Sequence, residues 1–152
     1  MKQQLCTKLA KEYPWLLNTI FTNNKIPLKH FYLGIGDGWY PLLVYICKVI
    51  AEEIKKHPEM DTEDYPFIVT DIKEKWGGLR FYISHGSDVI YDAICVAEKQ
   101  SVKKCEVCGA SGTTKSHRGW YLTRCWWHHL LLKLHFRMRD LKYKILKIFK
   151  RR

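Results

Sequence analysis

Cys105 and Cys108 stand two residues apart, Cys125 and His128 stand two residues apart, and sixteen residues separate the pairs. Each close pair can grip one ion from a tight turn or a helix start, and the spacer is long enough for a small hairpin. The pattern therefore predicts a closed tetrahedral site of three thiolates and one imidazole, the ligand order of a treble-clef or zinc-ribbon module. Gly109 follows the first pair, where the backbone must fold under the sulfurs without a Cβ in the way. Cys125 and His128 open a long apolar-periodic segment, which places both at the first turn of a helix. A closed four-ligand set points to a structural Zn2+, because a catalytic zinc keeps a position open for water. His129 and His117 are the alternative fourth ligands. Cys6, Cys47 and Cys95 stand singly in apolar helical stretches and read as small core residues, not as disulfide partners.

With 152 residues, 47% of them hydrophobic, the chain can bury one core. The first eight residues lack the apolar run of a secretory signal, and no stretch of about eighteen apolar residues occurs. An intracellular, soluble protein is the expectation. The net charge of +11 is concentrated at one end. Residues 133–152 hold nine Lys or Arg against the single Asp140, which leaves +3 for the first 132 residues.

Period and breakers predict an α+β fold: a small antiparallel sheet packed with helices, an integral zinc knuckle and a long basic C-terminal helix. The expected divisions are 1–103 for the α+β core, 104–129 for the knuckle and 130–152 for the helix, all within one compact unit. A first helix is read from about Gln4 to Leu17, kinked or ended by Pro14, followed by a loop through Asn23, Asn24 and Lys25 and an extended piece from His30 to Leu33. Gly34, Gly36 and Gly38 form a tight turn with Asp37 near the cap of a helix over Trp39–Lys56. They lack the remaining glycine and lysine of a phosphate loop. The apolar stripe of that helix is Leu42, Leu43, Ile46, Val49, Ile50 and Ile54. Phe67–Lys75 and Leu79–Ser84 alternate as two antiparallel strands around Trp76, Gly77 and Gly78. Ser87 and Asp88 cap a third helix that turns Ile90, Ile94 and Ala97 inward.

From Trp127 the apolar residues fall at Leu131, Leu134, Met138, Leu141, Ile145 and Ile148, in alternating steps of four and three. That is a heptad seam. His135, Arg137, Lys142 and Lys144 border it and none is acidic, which disfavours a symmetric coil and favours the protein's own core, an acidic partner groove, a membrane surface or nucleic acid.

No catalytic constellation stands out. Asp71, Lys73, Glu74 and Lys75 resemble fragments of a metal-dependent nuclease site without the second acidic strand residue, and His117 is the only histidine inside the knuckle loop. A nuclease is the third reading. Lys73, Lys75, Arg80 and Tyr82 mix bases with aromatics on the hairpin, and Arg118 and Arg124 repeat the mixture beside the metal ligands.

The order of Gly38-Trp39-Tyr40, the hairpin from Ile72 to Tyr82, Ala97-Glu98, Cys105-x-x-Cys108-Gly109, Gly119-Trp120-Tyr121 and Cys125-x-x-His128 resembles a family of small, mostly uncharacterised proteins of tailed phages and prophages. The resemblance spans about residues 38–128. It implies phage origin, a zinc-knuckle fold and residence in the host cytoplasm, and it brings no activity. The basic tail departs from it, since such proteins end soon after the last ligand.

The expected function is that of a non-enzymatic, zinc-stabilised phage accessory protein that binds an anionic partner, foremost nucleic acid with weak sequence preference. Lys133, Arg137, Lys142, Lys144, Lys147, Lys150, Arg151 and Arg152 supply the field. The alternative is an anti-defence protein. It would capture a cyclic nucleotide immune signal beside Arg80 and Tyr82, or insert the tail helix into an acidic groove of a host immune protein.

Overall fold

The structure is a computed structural model that describes residues 1–18 and 26–149, with the backbone alone at 144, 145, 148 and 149. Asn23, Asn24, Lys25, Lys150, Arg151 and Arg152 lie outside the described residues, as do the side chains of Lys144, Ile145 and Ile148. The architecture is α+β, with four α-helices and two small antiparallel sheets.

Helix α1 spans Gln3–Glu12 and buries Cys6, Leu9 and Ala10. It stops at Tyr13, whose φ of −128° and ψ of 78° lie outside the helical region, which the following Pro14 disfavours for it. Pro14–Leu17 then form a 3-10 turn rather than continuing the α-helix to Leu17. Of the expected extended piece at His30–Leu33, His30 instead closes a 3-10 turn over Leu28–His30, while Phe31 is extended at φ −72° and ψ 114°, and the carbonyls beyond accept from the N-terminal residues. Gln3 Nε2 donates to the Phe31 carbonyl at 3.0 Å, and the Met1 ammonium donates to the carbonyls of Leu33 and Ile35.

Helix α2, Tyr40–Lys56, carries Pro41 in its first turn, where the missing N–H has no intrahelical acceptor to lose. Its buried stripe includes Cys47 and Glu53 beside Leu42, Leu43, Ile46 and Ile50, while Val49 and Ile54 are only half-buried. Strands β1, Val69–Lys75, and β2, Gly78–Ile83, pair antiparallel with Lys73 opposite Arg80 and Asp71 opposite Tyr82. The two-residue turn between them places Trp76 at φ 57° and Gly77 at φ 79°, the mirror-image turn whose twist suits a hairpin.

Helix α3, Asp88–Ser101, packs between α2 and β2 and buries Ile90, Ala93, Ile94 and Ala97. It covers the free edge of β2. Ser101 Oγ accepts from the Leu79 amide at 2.8 Å, and Glu98 Oε1 accepts from the Phe81 amide at 3.0 Å. Two expectations are revised on this helix. Ser87 occupies the N-cap position, but its hydroxyl donates to Glu53 Oε2 at 2.8 Å instead of capping the helix. Cys95 is exposed, because one residue past Ile94 is a turn of about 100° away from the buried stripe.

Beyond α3 lie the hairpin of β3, Thr113–His117, and β4, Trp120–Arg124, and then helix α4, Trp126–Phe149. The β3–β4 turn repeats the geometry of the first hairpin, with Arg118 at φ 54° and Gly119 at φ 88°. Helix α4 is about 36 Å long at 1.5 Å per residue. No helix among the described residues is long and apolar enough to cross a membrane.

Candidate metal centre and basic surface

The four predicted ligands meet. One ligand atom each from Cys105, Cys108, Cys125 and His128 lie within 4.8 Å of one another. His128 Nδ1 is 3.1 Å from Cys125 Sγ and 3.4 Å from Cys105 Sγ, and the Cys108 and Cys125 sulfurs are 3.9 Å apart. Those are the edges of a tetrahedron whose centre would sit at roughly 2.0–2.3 Å from each ligand, the bond lengths of a divalent ion held by thiolate and imidazole. The cluster can therefore hold a metal ion.

Local backbone builds the first half. The Cys105 amide donates to the Ala110 carbonyl at 2.7 Å and the Gly109 amide donates to the Cys105 carbonyl at 2.8 Å, closing a knuckle that Gly109 completes at φ 75°. Cys125 and His128 come from the residue before α4 and its first turn. Burial opposes ionisation of Cys105, but the amides of Cys125, Cys108 and Val107 directed at its sulfur outweigh it and hold the thiol below its ordinary value. At Cys108 the Ala110 amide favours the thiolate. Burial and the neighbouring Cys105 and Cys125 sulfurs prevail and push that thiol up. Three sulfurs this close repel one another when ionised, and a cation between them removes the conflict.

His129 and His117 are not ligands. His129 Nε2 lies 2.8 Å from the Thr113 carbonyl, which can only accept, so the proton sits on Nε2 and Nδ1 accepts from His117 Nε2–H at 2.9 Å. The two rings stack, buried, behind the cluster. Burial first, then nearby basic side chains, Lys133, Arg124 and Lys115 among them, lowers the His117 pKa. Nothing in the spacing of these histidines announced the pair, because it joins the end of β3 to the first turn of α4.

The knuckle is seated on the core by the glycine turn. The Gly38 amide donates to the Glu106 carbonyl at 2.7 Å, the Gly36 amide donates to Glu106 Oε1 at 3.1 Å, and Trp39 Nε1 donates to the Lys104 carbonyl at 2.9 Å. Burial pushes the Glu106 carboxyl up, against the pull of the Gly36 amide. The amides that a phosphate would need are thus occupied by the protein itself. Asp37 accepts from the Lys2 amide at 2.7 Å rather than capping α2. On the other side, Thr123 Oγ1 donates to the Gly77 carbonyl and ties the second hairpin to the tip of the first.

The candidate anion-binding side chains belong to three elements. Lys73, Lys75, Arg80 and Tyr82 share one face of the β1–β2 hairpin. Lys73 pairs with Asp71 and covers the Tyr82 ring at 5.2 Å, and Arg80 reaches Glu98 at 3.5 Å and the Leu79 carbonyl at 2.7 Å. Asp71 is accordingly one half of a surface ion pair. Arg118 pairs with Asp140 and lies over the Phe136 ring at 4.9 Å, and the Nε of half-buried Arg124 has no partner among the described residues. Lys75, Lys133, Arg137, Lys142 and Lys147 are exposed and form no ion pair among the described residues.

Comparisons with protein families, with curated proteins and with solved structures gave no match. Fold and site together define a small α+β protein with a Cys3His cluster that can hold a metal ion.

Proposed function

We propose that the protein is a non-enzymatic nucleic-acid-binding protein whose C-terminal third is clamped by a structural Zn2+ held by Cys105, Cys108, Cys125 and His128. Three soft thiolates and an imidazole in a closed set suit zinc and leave no position for a reacting water. The observation that carries the binding reading is on α4. Its only acid, Asp140, is engaged by Arg118, while Lys133, Arg137, Lys142 and Lys147 point to solvent unopposed. A helix so charged attracts a polyanion over a Debye length and contacts phosphates without reading bases.

The aromatic neighbours supply the second ingredient. Trp76 and Tyr121 are exposed with ring centroids 5.7 Å apart, and Trp120 is exposed at the start of β4. Flat rings beside Lys75 suit stacking with unpaired bases, so single strands are the favoured substrate class. Fluorescence anisotropy with single-stranded and duplex oligonucleotides across a salt series tests the reading. Binding that weakens linearly in log–log salt coordinates, with single strands preferred, is the expected result; no binding at low salt sinks it.

A further inference from the structure

Helix α4 is docked by the wrong face for a heptad helix. The side chains turned toward the body are His129, buried against His117, and half-buried Phe136 and Asp140, both held by Arg118. The seam lies on the opposite side. Trp127, Leu131, Leu134, Met138 and Leu141 are between 41% and 72% exposed, and nothing among the described residues covers them.

We propose that this seam is the interface with a second copy of the chain, forming a parallel two-stranded coil. The spacing identifies the occupant as a helix. Alternating steps of four and three repeat every 3.5 residues, the period that keeps a stripe facing a partner helix as both supercoil, and the sequence continues it at Ile145 and Ile148. The body sits behind the helix, so two bodies side by side leave the seams free to meet.

Charge decides the orientation less than it first suggests. In a parallel register, with Leu134 and Leu141 as d residues, the flanking contacts among the described side chains are Leu130 with His135 and Arg137 with Lys142 of the other copy. Only the Arg137–Lys142 contact, made twice by symmetry, sets like charges together. Each such pair weakens association by roughly two-fold. Each seam side chain taken from half-exposed to buried strengthens it by roughly ten-fold, and five are exposed on each copy. Apolar burial wins.

Sedimentation velocity on the full chain with its metal tests the proposal. The expected result is a dimer that tightens as salt screens the Arg137–Lys142 contacts. The double variant Leu134→Lys with Met138→Lys should weaken dimerisation at least about 100-fold while metal content and thermal unfolding of the monomer stay unchanged, since both side chains are exposed. In a Cys95→Ser background, Leu141→Cys should crosslink to itself, because an antiparallel coil centred on the same seam would set Leu141 about 10 Å from its copy. A chain that stays monomeric throughout the micromolar range, or that is monomeric and pellets with phosphatidylglycerol vesicles through the same side chains, overturns the dimer. A dimer that fails to crosslink at this position overturns the parallel register.

Discussion

The Gly38 amide bonds the Glu106 carbonyl at 2.7 Å, and a Cβ at Gly38 would stand 2.2 Å from the Cys105 carbonyl oxygen and 2.3 Å from the Gly109 nitrogen. Backbone faces backbone there, so no flexible side chain can yield. At Gly38 the core and the Cys3His knuckle pack backbone to backbone, a fit that the missing Cβ permits. Gly38→Ala should therefore push the knuckle off its seat and cost roughly 1–3 kcal/mol of stability, with weaker metal retention as the second symptom. Chemical denaturation and metal analysis of the purified variant check both. A variant as stable as the parent and fully metallated contradicts the seat.

Metal removal should act regionally. The protein should purify with one zinc ion per chain, and a strong chelator or Cys125→Ser should free the amides of Cys105, Glu106 and Gly109, which bond Ala110, Thr123 and Cys105 carbonyls only while the knuckle is closed. The amides of α2 around Leu43, Ile46 and Ile50, buried in the apolar core, should keep their protection. Hydrogen exchange with and without chelator reads both regions. Unchanged exchange in the knuckle would mean that the sulfurs are ordinary buried thiols.

How much of this was legible beforehand follows sequence distance. Cys105, Cys108, Cys125 and His128 could be assigned because each pair is fixed by two intervening residues, and the Trp76-Gly77 turn because its strands alternate on either side. The glycine turn was legible as a turn and not as a seat, since Gly38 and Glu106 are 68 residues apart and no local pattern encodes their contact. Cys95 is exposed despite its apolar neighbours, because an apolar neighbourhood in sequence spans every face of a helix. The seam of α4 was visible as a heptad, but which face met the body depended on His117 and Arg118 from another hairpin.

Trp76 pays for its position in backbone strain. A bulky residue at φ 57° sits in a region that costs about 1 kcal/mol or more, and its ring is 67% exposed, so burial returns little. Trp76→Asn, which tolerates that conformation ahead of Gly77, should raise stability by roughly 0.5–1 kcal/mol. If the ring stacks on bases, the same change should weaken binding of single strands by roughly 5–100-fold. Thermal unfolding beside anisotropy separates the two effects; a variant that gains stability and keeps full affinity removes Trp76 from the binding surface.

Glu53 supplies a pH signature. Its hydrogen bonds from Lys56 at 2.9 Å and from Ser87 hold the carboxyl below its ordinary value. The folded state then binds fewer protons than the unfolded chain as pH falls through the unfolded value near about 4.3, so the stabilisation is complete above it and drains away toward the lower folded value. Glu53→Gln loses the ionised partner at every pH. The stability gap between parent and variant should be constant above about pH 5 and shrink below about pH 4, and denaturation at a series of pH values checks it. A gap that ignores acid would assign the role of Glu53 to packing.

Asp140 offers the cleanest test of the electrostatic reading, because it is the one acid on α4 and its partner Arg118 is a candidate phosphate contact. Both side chains are about half exposed, so breaking the pair should cost less than about 1 kcal/mol. Asp140→Asn would release Arg118 and remove a repelling charge at once. Affinity for oligonucleotides should rise, and the salt dependence should steepen by about 0.9 for the one added phosphate contact on duplex DNA, somewhat less on single strands. The neutralising counterpart Arg118→Gln leaves Asp140 unopposed and should move both quantities the other way. If the two variants shift affinity alike, or neither changes the slope, the helix does not meet its partner through phosphate charge.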